Sequence, residues 1–205
     1  AQACDLVAVA PGTYQLAETL NVPSGVFLVG AGQDQTTLQS TQGKNVISML
    51  GTSLLTGFTI RGATQDPWSS GVWIADNASP TIIGNKILGN KIGIGSYCFS
   101  KTPCISKAQI RNNLILENTN GGIVDTVGGI LIVNNTITKN QDGVRVDSKN
   151  QSSEVRNNLI VQNTNIGLLR AKVELIAGYN NVWGNRQDYE NLSKGVGDIS
   201  ADPLF

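Results

Sequence analysis

Apolar side chains come in short alternating runs, each broken after a few residues by Gly, Asn, Ser or Asp. The most regular run has asparagine at both ends with a β-branched residue between. It reads NKILGN from Asn85, NLILEN from Asn113, NTITKN from Asn135 and NLIVQN from Asn158. A shortened copy, NVWGN, starts at Asn181, and glycine-led copies start at Gly57 (GFTIRG) and Gly25 (GVFLVG). A second alternation follows the motif after a glycine: GVWIAD from Gly71, GIVD from Gly122, GVRVDS from Gly143 and GLLR from Gly167. A third precedes the next copy, as in SPTIIG from Ser79 and GILIV from Gly129.

Three strands thus recur every 22 to 32 residues, and no stretch carries helical periodicity. A period of this size with tight polar corners predicts an all-β solenoid, each coil pairing in parallel with the next about 4.8 Å away. Asn and Gly suit the left-handed backbone of such corners, and stacked Asn amides can bond along the axis as a ladder. Ile87, Ile115, Ile137 and Ile160 are expected to stack inside, with Trp183 continuing their column. The chain, residues 1–205, reads as one domain of about seven coils. Two stretches exceed the period, at 63–70 and 97–104, and are expected as loops walling a groove.

The Asn-x-Ile-x-x-Asn repeats resemble those of right-handed parallel β-helix proteins, the pectate-lyase-like superfamily. The opening from Val7, VAVAPGTYQLAETLNVPSGVFLVGAG, is similar to the first coils of that group. The closing YNNVWGN and GDISADPLF resemble bacterial secreted members of unassigned function. The resemblance implies a single right-handed parallel β-helix in an extracellular or cell-surface protein. A solenoid must cover its open edges; residues 186–205 are the candidate cap, the alternatives being a longer natural chain or end-to-end self-association. Cys98 and Cys104 lie six apart around a proline-containing turn, compatible with a local disulfide or two free thiols. The extracellular resemblance favours the disulfide and leaves Cys4 over.

Composition narrows the chemistry. There is no histidine, which removes imidazole base catalysis and the commonest zinc ligand. Fifteen basic and fifteen acidic residues cancel, so no long-range field would recruit nucleic acid. No apolar run reaches the length of a membrane span. The strand after each glycine offers the best groove, with an outward column of Trp73, Gly95, Val124, Arg145 and Leu169 and, beside it, Ala75, Tyr97, Thr126, Asp147 and Ala171.

On that face Trp73 and Trp68 are candidate surfaces for stacking against a sugar, with Asp76, Tyr97 and Arg145 as further carbohydrate contacts. The alternative for the two tryptophans is a satellite core under the 63–70 loop. Arg145, Asp125, Asp147 and Lys149 form the one notable ionic cluster. It reads either as a solvated salt-bridge patch or as elimination chemistry on a uronate, with a cationic base. In the second case Asp125 and Asp147 are candidate Ca²⁺ ligands, the only cofactor the residues suggest. The leading expectation is a non-catalytic exported module that binds polysaccharide or serves a structural role. The alternatives are a polysaccharide lyase or uronate epimerase, and a fibre-forming subunit.

Overall fold

The computed structural model describes residues 5–98, 104–148, 151–172 and 175–204. Among the described residues, twenty-four short strands wind into three parallel sheets of eight, and each strand pairs with those one coil before and after it. The first sheet begins with Leu6–Val9, the second with Gly12–Leu16 and the third with Leu20–Val22, and the order then repeats. The all-β parallel β-helix is therefore present, with eight coils where the sequence suggested seven.

The core is an aligned stack. In the second sheet Leu38, Ile60, Ile87, Ile115, Ile137, Ile160 and Val182 occupy one register column, and all are buried. Val182, and not Trp183, continues the isoleucine column; Trp183 is its outward neighbour and is partly exposed. The last motif copy is accordingly a full one starting at Asn180. The Gly57 copy is also displaced by one, because Thr59 pairs with Lys86 and Phe58 stands where the next coil has Asn85. GVFLVG belongs elsewhere: its strand, Phe27–Gly30, lies in the first sheet.

Both asparagines of the motif form ladders, one at each corner flanking the second sheet. Along the first, Asn85, Asn113, Asn135, Asn158 and Asn180 each donate an amide N–H to the next residue's Oδ1 at 3.0–3.2 Å. Along the second, Asn90, Asn118, Asn140, Asn163 and Asn185 do the same at 2.9–3.1 Å. Each Oδ1 also accepts the preceding coil's backbone N–H, as Asn118 does from Asn90 at 3.1 Å. The spare amide proton reaches the backbone carbonyl of a buried aliphatic residue, in the first sheet from the first ladder, as from Asn113 to Ile82 at 2.9 Å, and in the second sheet from the second, as from Asn118 to Ile87 at 3.3 Å. The residue before each ladder asparagine carries the left-handed conformation, with φ of 55° at Asn112 and at Glu117.

The ladders end on aspartates. Asn180 donates to Asp198 and Asn185 to Asp188. The remaining oxygen of Asp198 accepts from Tyr189 O–H at 3.1 Å and Gly195 N–H at 2.8 Å, and that of Asp188 from Ser200 O–H at 3.0 Å. Of the segment expected as a cap, Gln187–Glu190 is a regular rung of the third sheet. Val196 and Ile199 then keep the winding through parallel bridges to Gly178 and Asn181.

The glycines opening the third-sheet strands are not turn residues. A Cβ on Gly93 would lie 3.0 Å from the Asn118 amide and 2.5 Å from the Gly122 carbonyl, and Gly122, Gly143 and Gly167 meet the ladder equally closely. Glycine here lets the second ladder approach the third sheet.

Removing one ladder amide strands donors in a dry corner. We expect Asn118→Ala to cost about 3 kcal/mol, read as a lower urea midpoint at unchanged slope. Asn181→Ala, which removes an outward amide bonded to exposed Ala201, is expected to cost under about 1 kcal/mol.

Candidate functional site

The third sheet presents the expected outward column. Ser48, Trp73, Gly95, Val124, Arg145, Leu169 and Glu190 stand in register on successive coils. What lies over that column depends on the 63–70 loop. Asp66 shapes it, accepting from Trp68 N–H at 2.8 Å and from Ser69 O–H at 2.9 Å. Gly43 holds its start, accepting from the N–H groups of Thr64 and Gln65. Asn120, two coils further on, donates to the Pro67 carbonyl at 3.0 Å. The loop is thus fastened across the edge of the sheet.

Under it sits an aromatic group. Gly95 has no side chain, and the Tyr97 ring fills that space: a Cβ on Gly95 would come 2.5 Å from Tyr97 Cε2. Ile92, Tyr97 and Val124 are buried together, with Trp73 packed against them. Trp73 therefore belongs to a satellite core and is not an open stacking platform. Trp68 stands edge-on to Tyr97 with ring centroids 5.2 Å apart and is 53% exposed. Asn45, Asp66, Trp68, Ser69, Trp73 and Tyr97 enclose a cleft of about 290 Å³. Burial pushes the Tyr97 phenol well above its usual range, against the pull of a Ser70 hydrogen bond and the Arg145 charge, with Asp66 adding a smaller push upward. Tyr97 is thus a neutral hydroxyl at any physiological pH.

The ionic cluster does not assemble as the sequence suggested. Arg145 and Asp147 meet at 3.8 Å, and Lys172, which sequence reasoning passed over, reaches Asp147 at 2.9 Å. Asp125 is on the other side of its strand: it pairs in register with Val146 and is fully buried. Its Oδ1 accepts from Val127 N–H at 3.0 Å and Gly128 N–H at 2.9 Å, and its Oδ2 from Ser153 O–H at 2.7 Å. Asp125 is a corner staple that faces away from the groove, so it forms no oxygen pair with Asp147 for a cation. Lys149 and Cys4 lie outside the described residues.

The disulfide between Cys98 and Cys104 is formed, with Cα atoms 5.8 Å apart, directly after Tyr97. Asp76 stands within 4.8 Å of both sulfurs, away from the cleft. Of the residues offered as carbohydrate contacts, the structure gathers Trp68, Trp73 and Tyr97, with Arg145 near enough to influence the phenol. Asp66 and Asn120 were missed; the Asp-x-x-Ser spacing at Asp66 and Ser69 is a turn signal that marks the first.

Residues 45–199 match the family described as right-handed β-helix region. No match to this chain is found among curated proteins. Similar solved structures include the Agl-KA catalytic domain (TM-score 0.73, 17% identity, 93% of this chain and 39% of that one). Pectate lyase Pel9A aligns at TM-score 0.65 and 12% identity, over 90% of this chain and 57% of its own. The catalytic unit of a thermostable GH87 α-1,3-glucanase from Streptomyces thermodiastaticus strain HF3-3 aligns at 0.60 and 18%, over 89% and 41%. At these identities the likeness is one of fold, and the chain spans well under two thirds of each neighbour's length. Among the described residues no helix is long and apolar enough to cross a membrane.

Burial raises the Asp125 carboxyl above its ordinary value of 3.8, against the hydrogen bonds from Gly128, Ser153 and Val127. The folded state therefore binds that proton more tightly than the unfolded chain. The stabilisation is complete below pH 3.8 and is lost as pH rises through the folded-state value. We expect urea midpoints of the wild-type protein to fall across that window, and the part due to this carboxyl to be absent in Asp125→Asn.

Proposed function

The chain belongs to the right-handed β-helix family, and from that premise we propose that it is an exported glycan-binding solenoid whose binding site is the cleft beside Trp68. One observation carries the reading. Trp68 offers an exposed ring braced edge-on by buried Tyr97, beside a cleft whose other walls include Asn45, Asp66 and Ser69. A rigid aromatic face next to a few fixed polar groups suits the apolar face and hydroxyl rim of a sugar ring. The pectate lyase and α-1,3-glucanase among the structural neighbours support a carbohydrate ligand, and the disulfide supports export.

A second reading, lyase or epimerase chemistry on an acidic glycan, draws on Arg145. Its charge reaches Tyr97, and its partner Asp147 is shared with Lys172. Elimination needs a cation at the uronate carboxylate and a base at the neighbouring C–H. Asp125 does not contribute, being turned into the core.

Binding is expected to change tryptophan fluorescence on addition of the cognate polysaccharide. Trp68→Ala should weaken affinity about tenfold with little effect on the urea midpoint. Gly95→Ala, whose Cβ would press on the Tyr97 ring beneath Trp68 and on buried Ser70 Oγ, should weaken affinity too, here with a lower urea midpoint. Unchanged affinity in both variants would overturn the cleft. Unsaturated ends accumulating from a uronan with wild-type protein, and absent with Arg145→Ala, would replace the non-catalytic reading with the lyase.

A further inference from the structure

The corner between the second and third sheets carries a larger concavity that the cleft does not account for. It is a trough of about 790 Å³, lined by side chains from four successive coils. Thr119, Gln141 and Thr164 stand one per coil along it. Their backbone N–H groups bond to the carbonyls of Asn90, Asn118 and Asn140 on the coil before, at 2.8, 3.1 and 2.8 Å. The second asparagine ladder lies directly behind, so these three positions repeat at the coil spacing of about 4.8 Å. Lys139 and Arg186 flank them, with Glu117 as the single carboxylate of the lining. All six side chains are exposed, and neither cation forms an ion pair among the described residues. Asn120, which holds the 63–70 loop through the Pro67 carbonyl, directly follows Thr119 of the trough, and the trough and the cleft share no lining residue.

We propose that this trough is a second carbohydrate site, taking an extended uronate-containing chain that runs along the solenoid axis. A sugar repeat and a coil rise are of the same order, so hydroxyl and amide groups at one-coil intervals can meet successive sugars of a straight polymer. The two cations without carboxylate partners supply the charge such a chain requires, and the open polar walls suit a hydrated backbone more than an apolar ligand. The inference shares with the cleft reading only the ligand class.

The test is retardation in native gels containing polygalacturonate, with neutral dextran as the uncharged probe. Lys139→Gln and Arg186→Gln remove the charges while keeping a polar, hydrogen-bonding side chain. Gln162 already occupies the position equivalent to Lys139 one coil later with the same φ, so the fold should tolerate the first change. We expect each substitution to weaken retardation by polygalacturonate about two- to fivefold at low salt, with no shift in the urea midpoint. The loss should multiply with that of Trp68→Ala, and dextran retardation should be unaffected by the charge changes. Wild-type retardation of the Lys139→Gln/Arg186→Gln protein, or no retardation of the wild-type protein by polygalacturonate, would overturn the trough. If Trp68→Ala leaves retardation intact while the double charge variant loses it, the cleft fails and the trough stands. The converse result would reject the trough and keep the cleft.

Discussion

A buried primary amide has two donors and an acceptor with two lone pairs, and leaving any of them unmet costs stability. Asn118 satisfies that demand by accepting from both the backbone and the side chain of Asn90 while donating to Ile87 and Asn140. All four contacts form only when three coils stand squarely on one another. The isoleucine stack alone would accept some sliding, because one aliphatic side chain packs on another in many offsets. The amides do not, so from Asn85 and Asn90 onward the two ladders set the register of the coils.

That register reaches the third sheet through glycine. The second ladder presses against the second residue of each third-sheet strand from Gly71 to Gly167, where a side chain would collide with an amide. The rest of each strand is thereby held in phase, and its outward residues form a straight column. At Gly95 the column has a gap, the Tyr97 ring lies in it, and the fastened loop sets Trp68 on its edge. The same ladder backs the corner trough. One set of buried amides thus positions two surfaces of different chemistry.

The period, the coils, the ladders and the outward column were legible because each is a local pattern repeated several times. Errors arose where the pattern was doubled or diluted. At Asn180-Asn181 two asparagines compete for one ladder position, and the second was taken, which moved Trp183 into the core by mistake. At Gly57-Phe58 the ladder residue is not an asparagine at all, since Phe58 needs only its backbone N–H to bond Asn85. Alternation with Val124 outward already turns Asp125 inward; its charge, read as a sign of exposure, misled. Trp73 shows the opposite difficulty. Its direction was right, but its partial burial comes from packing on Ile92, Tyr97 and Val124 of the following coils, contacts that no local pattern announces.

The aspartates that close the ladders bear on how such a protein can change length. Each asparagine hands a proton to the next coil and receives one from the coil before, so any interior coil is interchangeable with its neighbours at that position. Asp198 and Asp188 accept without needing to donate and are suited only to the last place. A whole coil inserted or deleted between them and Asn85 would strand no ladder amide and would leave the terminal contacts of Tyr189 and Ser200 as they are. Descendants of this chain can therefore lengthen or shorten the solenoid in steps of one coil, without redesigning its C-terminal end.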